Sequence, residues 1–481
     1  MNGNVNSFSV VPLWLDGKEI TTQKTFDVVS PIDNKVLYKA SSASESDAQA
    51  ALEASQKAFK EWSKIKPAQR RDIFLKAAEI VVARKEELWQ YSHTETGAQR
   101  AMFEFELGLT VEALKAVAGL IATVHGSLIE PAAEGRSAMM VREPWGVVLG
   151  IAPWNAPYAL GLRACLFPLA MGNTVVLKGS EMSPAVFWAL GSVLHAAGLP
   201  AGCLNTLSHD PKDAAAVTAC LVSSPIVKKI NFTGSTRVGS VIASLAGKHL
   251  KPVLMELGGK APSIVCEDAD LENAAFQCAL GAFLHSGQVC MSTERILVNK
   301  NVAGPFKEAL KAAMSQLSGG GSAEVPILIN HQSVIKTKEL LKDALEKGAK
   351  VIYGNAEHNE ASATKMRPVI IEQVAEGMAI YHTESFGPTV SVYEVADDDA
   401  ALRIANDTDY GLTSAVFTKD LRRGFNIAKQ IETGAVHINS MTVHDEPALP
   451  HGGAKKSGFG RFNGREGLEE WVRTKVITFD V

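Results

Sequence analysis

The sequence predicts an α/β protein organised on a parallel sheet, and three observations carry that reading. From Gly146 onward short apolar strands alternate with amphipathic helices, the order that βαβ units impose on a chain. The chain has 481 residues, enough for about three domains at ~150 residues each. Its 46% hydrophobic and 21% charged residues suit a protein with a large core.

Taken in order, the first third reads as a strand-poor cap with long helices. Leu13, Trp14, Leu15, Gly17 and residues 26–29 suggest short strands or a hairpin, followed by helices at 48–62, 68–89 and 98–122. Residues 126–142 leave helical spacing, and 138–141 read as a strand reaching away from the main body. The alternation then begins. A strand at 147–152 ends in Pro153-Trp154-Asn155, and one at 174–177 ends at Lys178. A helix over 183–197 leads to a strand at 204–207, and a helix near 212–221 precedes a strand at 227–232. Ligands of such sheets bind at the carboxyl ends of the strands. Asn155, Lys178 and the turn Thr233-Gly234-Ser235-Thr236 are therefore candidate site residues.

The stretch from Met255 to Cys290 organises the rest. Glu256 sits in a Gly-Gly turn after an apolar segment, and from Asp268 the apolar residues Leu271, Ala274, Ala275, Cys278, Ala279, Ala282 and Phe283 repeat as on a helix burying one face. Asp268 and Asp270 offer a start and Gly287 a stop. Cys290 then lies on a loop just past a helix end, with the two ends of the stretch facing one site. A reactive thiol needs a positive potential or a base that takes its proton. On its own, a cysteine is more often a small buried apolar residue.

Two further stretches point to a nucleotide. Phe232 to Gly239 follows a strand and opens a helix, where glycines allow close approach and free N–H groups favour a phosphate. It is not the G-x-G-x-x-G pattern, and Ser235 alone could equally be a helix cap. Lys178-Gly179-Ser180-Glu181 could hold the hydroxyls of an adenosine ribose, with Glu181 repelling a 2′-phosphate. Alone, it reads better as a solvated charge pair near a helix start.

Other classes are disfavoured. A net charge of −4 and a pI near 6.3 leave no nucleic-acid footprint. No apolar run approaches the ~20 residues of a spanning helix, and the first residues lack a basic segment followed by an apolar one. The six cysteines form no C-x-x-C pair and the histidines no H-E-x-x-H spacing, so neither a disulfide framework nor a metal site is expected. These signs indicate a cytoplasmic protein without nucleic-acid or membrane partners.

Seven ordered motifs carry a resemblance: Pro153-Trp154-Asn155, Lys178 to Glu181, Phe232 to Gly239, Glu256-Leu257-Gly258-Gly259, Gly287 to Cys290, Glu384-Ser385-Phe386-Gly387-Pro388, and Gly452 to Gly458 with Gly460-Arg461. Each is weak, but the series over nearly the whole chain resembles the aldehyde dehydrogenase superfamily. The resemblance implies an oxidoreductase in which Cys290 attacks the aldehyde, Asn155 and the Cys290 N–H hold the oxyanion, and Glu256 activates the hydrolytic water. It implies NAD as cofactor, bound by Pro153, Trp154, Lys178, Ser180, Glu181, Gly234, Ser235, Gly239, Leu257, Glu384 and Phe386. The implied architecture is a Rossmann-like NAD domain (1–125 and 144–256), an α/β catalytic domain (257–455) and a small β oligomerisation arm with the C-terminal segment (126–143 and 456–481). A homodimer or homotetramer is the expected assembly, because an arm that buries little of its own surface needs a partner.

Departures from the commoner pattern bear on substrate. Ala156 follows Asn155 where many members carry an aromatic residue, Arg163 lies two helical turns on, and His451 precedes the Gly-Gly pair. With Cys290-Met291-Ser292-Thr293-Glu294-Arg295 and the segments 436–439 and 442–446, these look most similar to the branch acting on salicylaldehyde, vanillin and benzaldehyde. The expectation is a pocket formed by Ala156, Arg163, Met291 and His451, with Arg163 facing a ring hydroxyl or an acidic neighbour. Residues 318–323 read as a flexible Gly/Ser loop. Alternatives are an aliphatic aldehyde or semialdehyde dehydrogenase, a coenzyme-A-acylating relative, a cysteine hydrolase without cofactor, and a non-catalytic protein that would lack Asn155, Glu256 or Cys290.

Overall fold

The computed structural model describes residues 8–317 and 325–480, so the expected 318–323 loop falls outside the described residues. Two large sheets dominate. The first has eight strands, and its parallel centre runs Val253–Glu256, Val227–Thr233, Val147–Ile151, Thr174–Lys178, Leu204–Leu207. The chain winds outward from Val147–Ile151 to Leu204–Leu207, then crosses back to Val227–Thr233 on the other side and continues to Val253–Glu256. That reversal opens a crevice between the carboxyl ends of Val147–Ile151 and Val227–Thr233, the position where open α/β sheets bind ligands. An antiparallel hairpin, Leu13–Leu15 with Lys18–Ile20, closes one edge of the sheet.

The second sheet has seven strands in the order Lys350–Tyr353, Val369–Glu372, Thr389–Val395, Thr293–Asn299, Ala261–Val265, Thr413–Phe417, Ala435–Ile438. All pairings are parallel except that of the edge strand Lys350–Tyr353. Its central strands are buried on both faces, which is why they read as unbroken apolar runs. Helices cover both sides. Leu271–Phe283 and Ala303–Leu317 pack on one face around Cys278, Phe306 and Leu310.

The early helices run Glu45–Trp62, Pro67–Ala83, Lys85–Thr96 and Arg100–Leu120. The single helix expected at 68–89 is two, parted at Arg84, whose side chain turns back to Glu87 and Ser192. The first third is also richer in strands than expected, since Val36–Ser41 pairs with Val10–Val11 on one side and Thr25–Val29 on the other in a small sheet. The arm consists of Ser127–Ile129, Arg136–Pro144 and Val472–Asp480, the last two paired antiparallel along their length.

The stretch 456–471, expected with the arm, returns instead to the first body. Gly458–Phe459 pairs with Met255 and Glu256, and Phe462, Leu468 and Trp471 lie in the first core. A two-residue strand has no period to read from sequence.

Candidate active site

Glu256 is the last residue of Val253–Glu256, and Ala261–Val265 begins the second sheet five residues later, so the carboxylate stands at the crossing between the two bodies. The intervening Gly259 is obligatory: a Cβ there would overlap the Cys290 carbonyl. Cys290 comes from the far end of the helix Leu271–Phe283, started by Asp270, whose carboxylate accepts from the Asn273 N–H at 3.1 Å. Asp268 does not cap; it accepts from Thr418, Lys419 and Asp420. Between helix and thiol, His285, Ser286 and Gly287 all have positive φ, an unfavourable run for two residues with a Cβ. It turns the chain so that Cys290 is only partly buried and lies near the Glu256 carboxylate.

Asn155 follows Val147–Ile151 at the crevice and is nearly buried. Its side-chain amide donates one N–H to the Gln288 carbonyl at 2.9 Å, which orients the amide and leaves its second N–H for a substrate oxygen. Gln288 is itself braced. Its amide nitrogen donates to the His285 and Ile327 carbonyls, and its oxygen accepts from the Ile329 N–H at 2.8 Å. No motif pointed to this support, because its partners are backbone atoms distant in sequence.

A cavity of about 240 Å³ brings together Asn155, Glu256 and Cys290. Of the expected cofactor residues, Pro153, Trp154, Gly234, Ser235, Leu257, Glu384 and Phe386 also line it, as do Thr233, Gly258 and Ser385 of the same motifs, and Leu160, Ser333 and Lys336 are lining residues that the sequence did not single out. The Trp154 and Phe386 rings meet edge to face at 5.9 Å. Glu384 accepts from the Gly259 N–H at 2.8 Å, and burial pushes its carboxyl up to about 7. The loop bearing it is pinned by Glu294, which accepts from the Ser385 N–H and hydroxyl and from the Phe386 N–H, and whose other oxygen takes Lys260 at 2.6 Å.

Lys178, Ser180, Glu181 and Gly239 do not line this cavity, and Glu181 lines a separate one with Met182, Asp210 and Lys212. Lys178 is 9% exposed. Burial pulls its ammonium down, against the opposing charge of Glu181. Neither Lys178 nor Glu181 uses its side chain in a hydrogen bond among the described residues, so donor and acceptor are both available to ribose hydroxyls. Ser235 caps the helix Thr236–Lys248, whose first N–H groups suit a phosphate. This donor set fits a nicotinamide dinucleotide.

The expected substrate residues divide. Ala156 starts the helix Pro157–Ala170, and Met291 packs with Val289, Leu412 and Val443 beside the thiol. His451 is buried, with its backbone bridged to Phe462. Of the two alternatives expected for Arg163, the acidic neighbour is the one present: its guanidinium is paired with two carboxylates, Glu256 at 2.6 Å and Asp445 at 3.2 Å. Burial is the reason, because at 5% exposure a cation is held only where opposite charge neutralises it.

Burial and the neighbouring Glu256 carboxylate hold the Cys290 thiol well above its ordinary range. The site thus presents a protonated thiol against a carboxylate, an amide donor, and a crevice built for a dinucleotide. That combination defines a cysteine-dependent enzyme oxidising a carbonyl substrate. The chain belongs to the aldehyde dehydrogenase family, whose pattern residues 17–477 match. It is 41% identical to a vanillin dehydrogenase of a Pseudomonas species over 474 residues, 97% of each chain. A crystal structure of a salicylaldehyde dehydrogenase from Pseudomonas putida G7 complexed with salicylaldehyde superposes with a TM-score of 0.95 at 36% identity, covering 98% of this chain and 99% of that one. A betaine aldehyde dehydrogenase from Staphylococcus aureus in complex with NAD+ gives 0.93 at 27% identity, covering 98% and 95%. The protein is an aldehyde dehydrogenase that uses NAD(P). No helix among the described residues is long and apolar enough to cross a membrane.

Proposed function

We propose that this enzyme oxidises an aromatic aldehyde to its carboxylic acid with NAD as acceptor. The carrying observation is the convergence of Asn155, Glu256 and Cys290 on one cavity at the crevice, supported by relatives named for vanillin and salicylaldehyde. The Cys290 thiol gives its proton to Glu256, and the sulfur bonds to the aldehyde carbon to form a thiohemiacetal. Asn155 and the Cys290 N–H hold the oxyanion, a donor of this kind being worth ~3 to 4 kcal/mol. Bound NAD supplies the acceptor for the hydride that leaves the same carbon. Glu256 then gives the thiol proton up to solvent and takes a proton from the water that attacks the thioester on Cys290; as the acid leaves, Glu256 returns that proton to the departing sulfur and the thiol re-forms. Hydrolysis, and not transfer to coenzyme A, follows from a carboxylate placed against the sulfur.

Glu181 beside Lys178 favours NAD over NADP, because a second anion on the ribose would meet a carboxylate. Ala156, Met291 and His451, none of which lines the cavity that holds Cys290, are the residues we assign to the surroundings of the ring. The composition supports a cytoplasmic setting, and the arm supports a homodimer or homotetramer. The test is an aldehyde panel with each cofactor. Benzaldehyde, salicylaldehyde and vanillin should exceed succinic semialdehyde by about tenfold or more in kcat/KM, a range that pocket fit can supply, with NAD preferred. A preference for the semialdehyde or for NADP would contradict the proposal.

A further inference from the structure

Arg163 is placed where neither a substrate contact nor a purely structural cation explains it. It comes from the middle of Pro157–Ala170, a helix started without a side-chain cap of its own; the buried Glu106 carboxylate instead accepts from the Tyr158 and Ala159 N–H groups at 2.6 and 3.2 Å. With that helix fixed, the guanidinium stacks on the Phe462 ring at 4.6 Å. One end donates to Glu256 Oε2 at 2.6 Å and the other to Asp445 Oδ2 at 3.2 Å. Asp445 is held in turn, since its other oxygen accepts from the Asn463 side chain at 2.7 Å.

The decisive feature is the asymmetry at Glu256. The carboxylate is wholly buried, Oε2 is taken by Arg163, and Oε1 has no hydrogen-bond partner among the described residues, with the Cys290 thiol nearby. A carboxylate tied by one oxygen has its plane fixed, which leaves the other oxygen as the only proton acceptor toward Cys290. We propose that Arg163 is a positioning residue for the base: anchored by Asp445 and Phe462, it holds the Glu256 carboxylate by Oε2 and so leaves Oε1 free to serve the sulfur and the thioester. This rests on Glu256 being the base. No bond forms or breaks at Arg163, and it contributes charge and orientation to both proton transfers.

The test uses the full-length enzyme with NAD and unsubstituted benzaldehyde, which has no ring hydroxyl for an arginine to contact. Arg163→Ala should lose about 100-fold in kcat, within the range of misdirected general-base catalysis, with the KM for NAD little changed. Added guanidinium chloride at non-denaturing concentration should restore about tenfold in Arg163→Ala and nothing in Glu256→Gln, because the small cation can occupy the vacated site. Arg163→Lys should fall between, keeping the charge without the fork. Should Arg163→Ala not fold, Asp445→Asn leaves the arginine in place and should lower kcat by about tenfold through loss of its anchor. A loss confined to hydroxylated aldehydes would assign Arg163 to substrate and overturn the proposal, as would unchanged turnover in Asp445→Asn or the absence of guanidinium rescue. Full turnover by Glu256→Gln would remove the base and this proposal together, whereas stalling of Glu256→Gln without rescue of Arg163→Ala would remove this proposal alone.

Discussion

At Cys290 two demands oppose each other. The sulfur must be a nucleophile, yet desolvation in the pocket and the adjacent Glu256 carboxylate both favour the neutral thiol. Both are met when the thiolate exists only while Glu256 takes its proton during attack. The sign of the shift gives a direct expectation. A thiol held above its ordinary range is protonated at neutral pH, so alkylation by iodoacetamide in the absence of cofactor should rise steadily from pH 7 through pH 9. A rate that levels off below pH 8 would show a thiolate already formed in the resting enzyme. The neighbouring residues differ in how far sequence alone could find them. Glu256, Asn155 and Cys290 stand at ends of elements and inside motifs, and so were legible. The partners of Arg163 were not, because Glu256 and Asp445 lie 93 and 282 residues away along the chain.

At the scale of elements, the thiol is aimed by a short strained segment and not by the helix before it. The helix Leu271–Phe283 was legible from its apolar spacing, but the left-handed turn His285-Ser286-Gly287 was not, since neither histidine nor serine signals positive φ. Gly287 has φ 74°, and a Cβ there would overlap the Gly387 carbonyl of the loop that carries Glu384 and Phe386. Gly287→Ala should therefore separate the thiol loop from the cofactor loop, lowering kcat/KM by about 100-fold, the cost of an ångström-scale misplacement. Calorimetry should register only a modest fall in Tm, because the cores lie elsewhere. Wild-type kinetics in that variant would mean that the close approach of the two loops is dispensable. Glu294, which clamps the same loop through three hydrogen bonds, was also hidden, as its partners lie more than ninety residues away.

At the scale of the molecule, Asn155 belongs to the first sheet, Cys290 follows a helix of the second, and Glu256 stands at the crossing, so catalysis depends on the two bodies keeping one relative placement. The parallel alternation made the first sheet legible almost strand by strand. The return of 456–471 to that sheet escaped, since two paired residues leave no pattern. The arm was legible as an extended strand, and its surface supports assembly: Leu128, Met139 and Ile477 are cross-strand neighbours and all exposed. Replacing Leu128 and Ile477 together by glutamate should reduce the mass seen by light scattering to that of a smaller assembly. An unchanged oligomer would place its interface elsewhere, and a monomeric wild type would remove the arm's proposed role. The central claim is a thioester on Cys290 that water releases with the help of Glu256. Its most direct test is the intact mass of Glu256→Gln mixed with benzaldehyde and NAD at alkaline pH, where the thiol ionises without the base. The account predicts one equivalent of NADH and a protein heavier by one acyl group that Cys290→Ala abolishes; an unmodified mass with sustained turnover would contradict it.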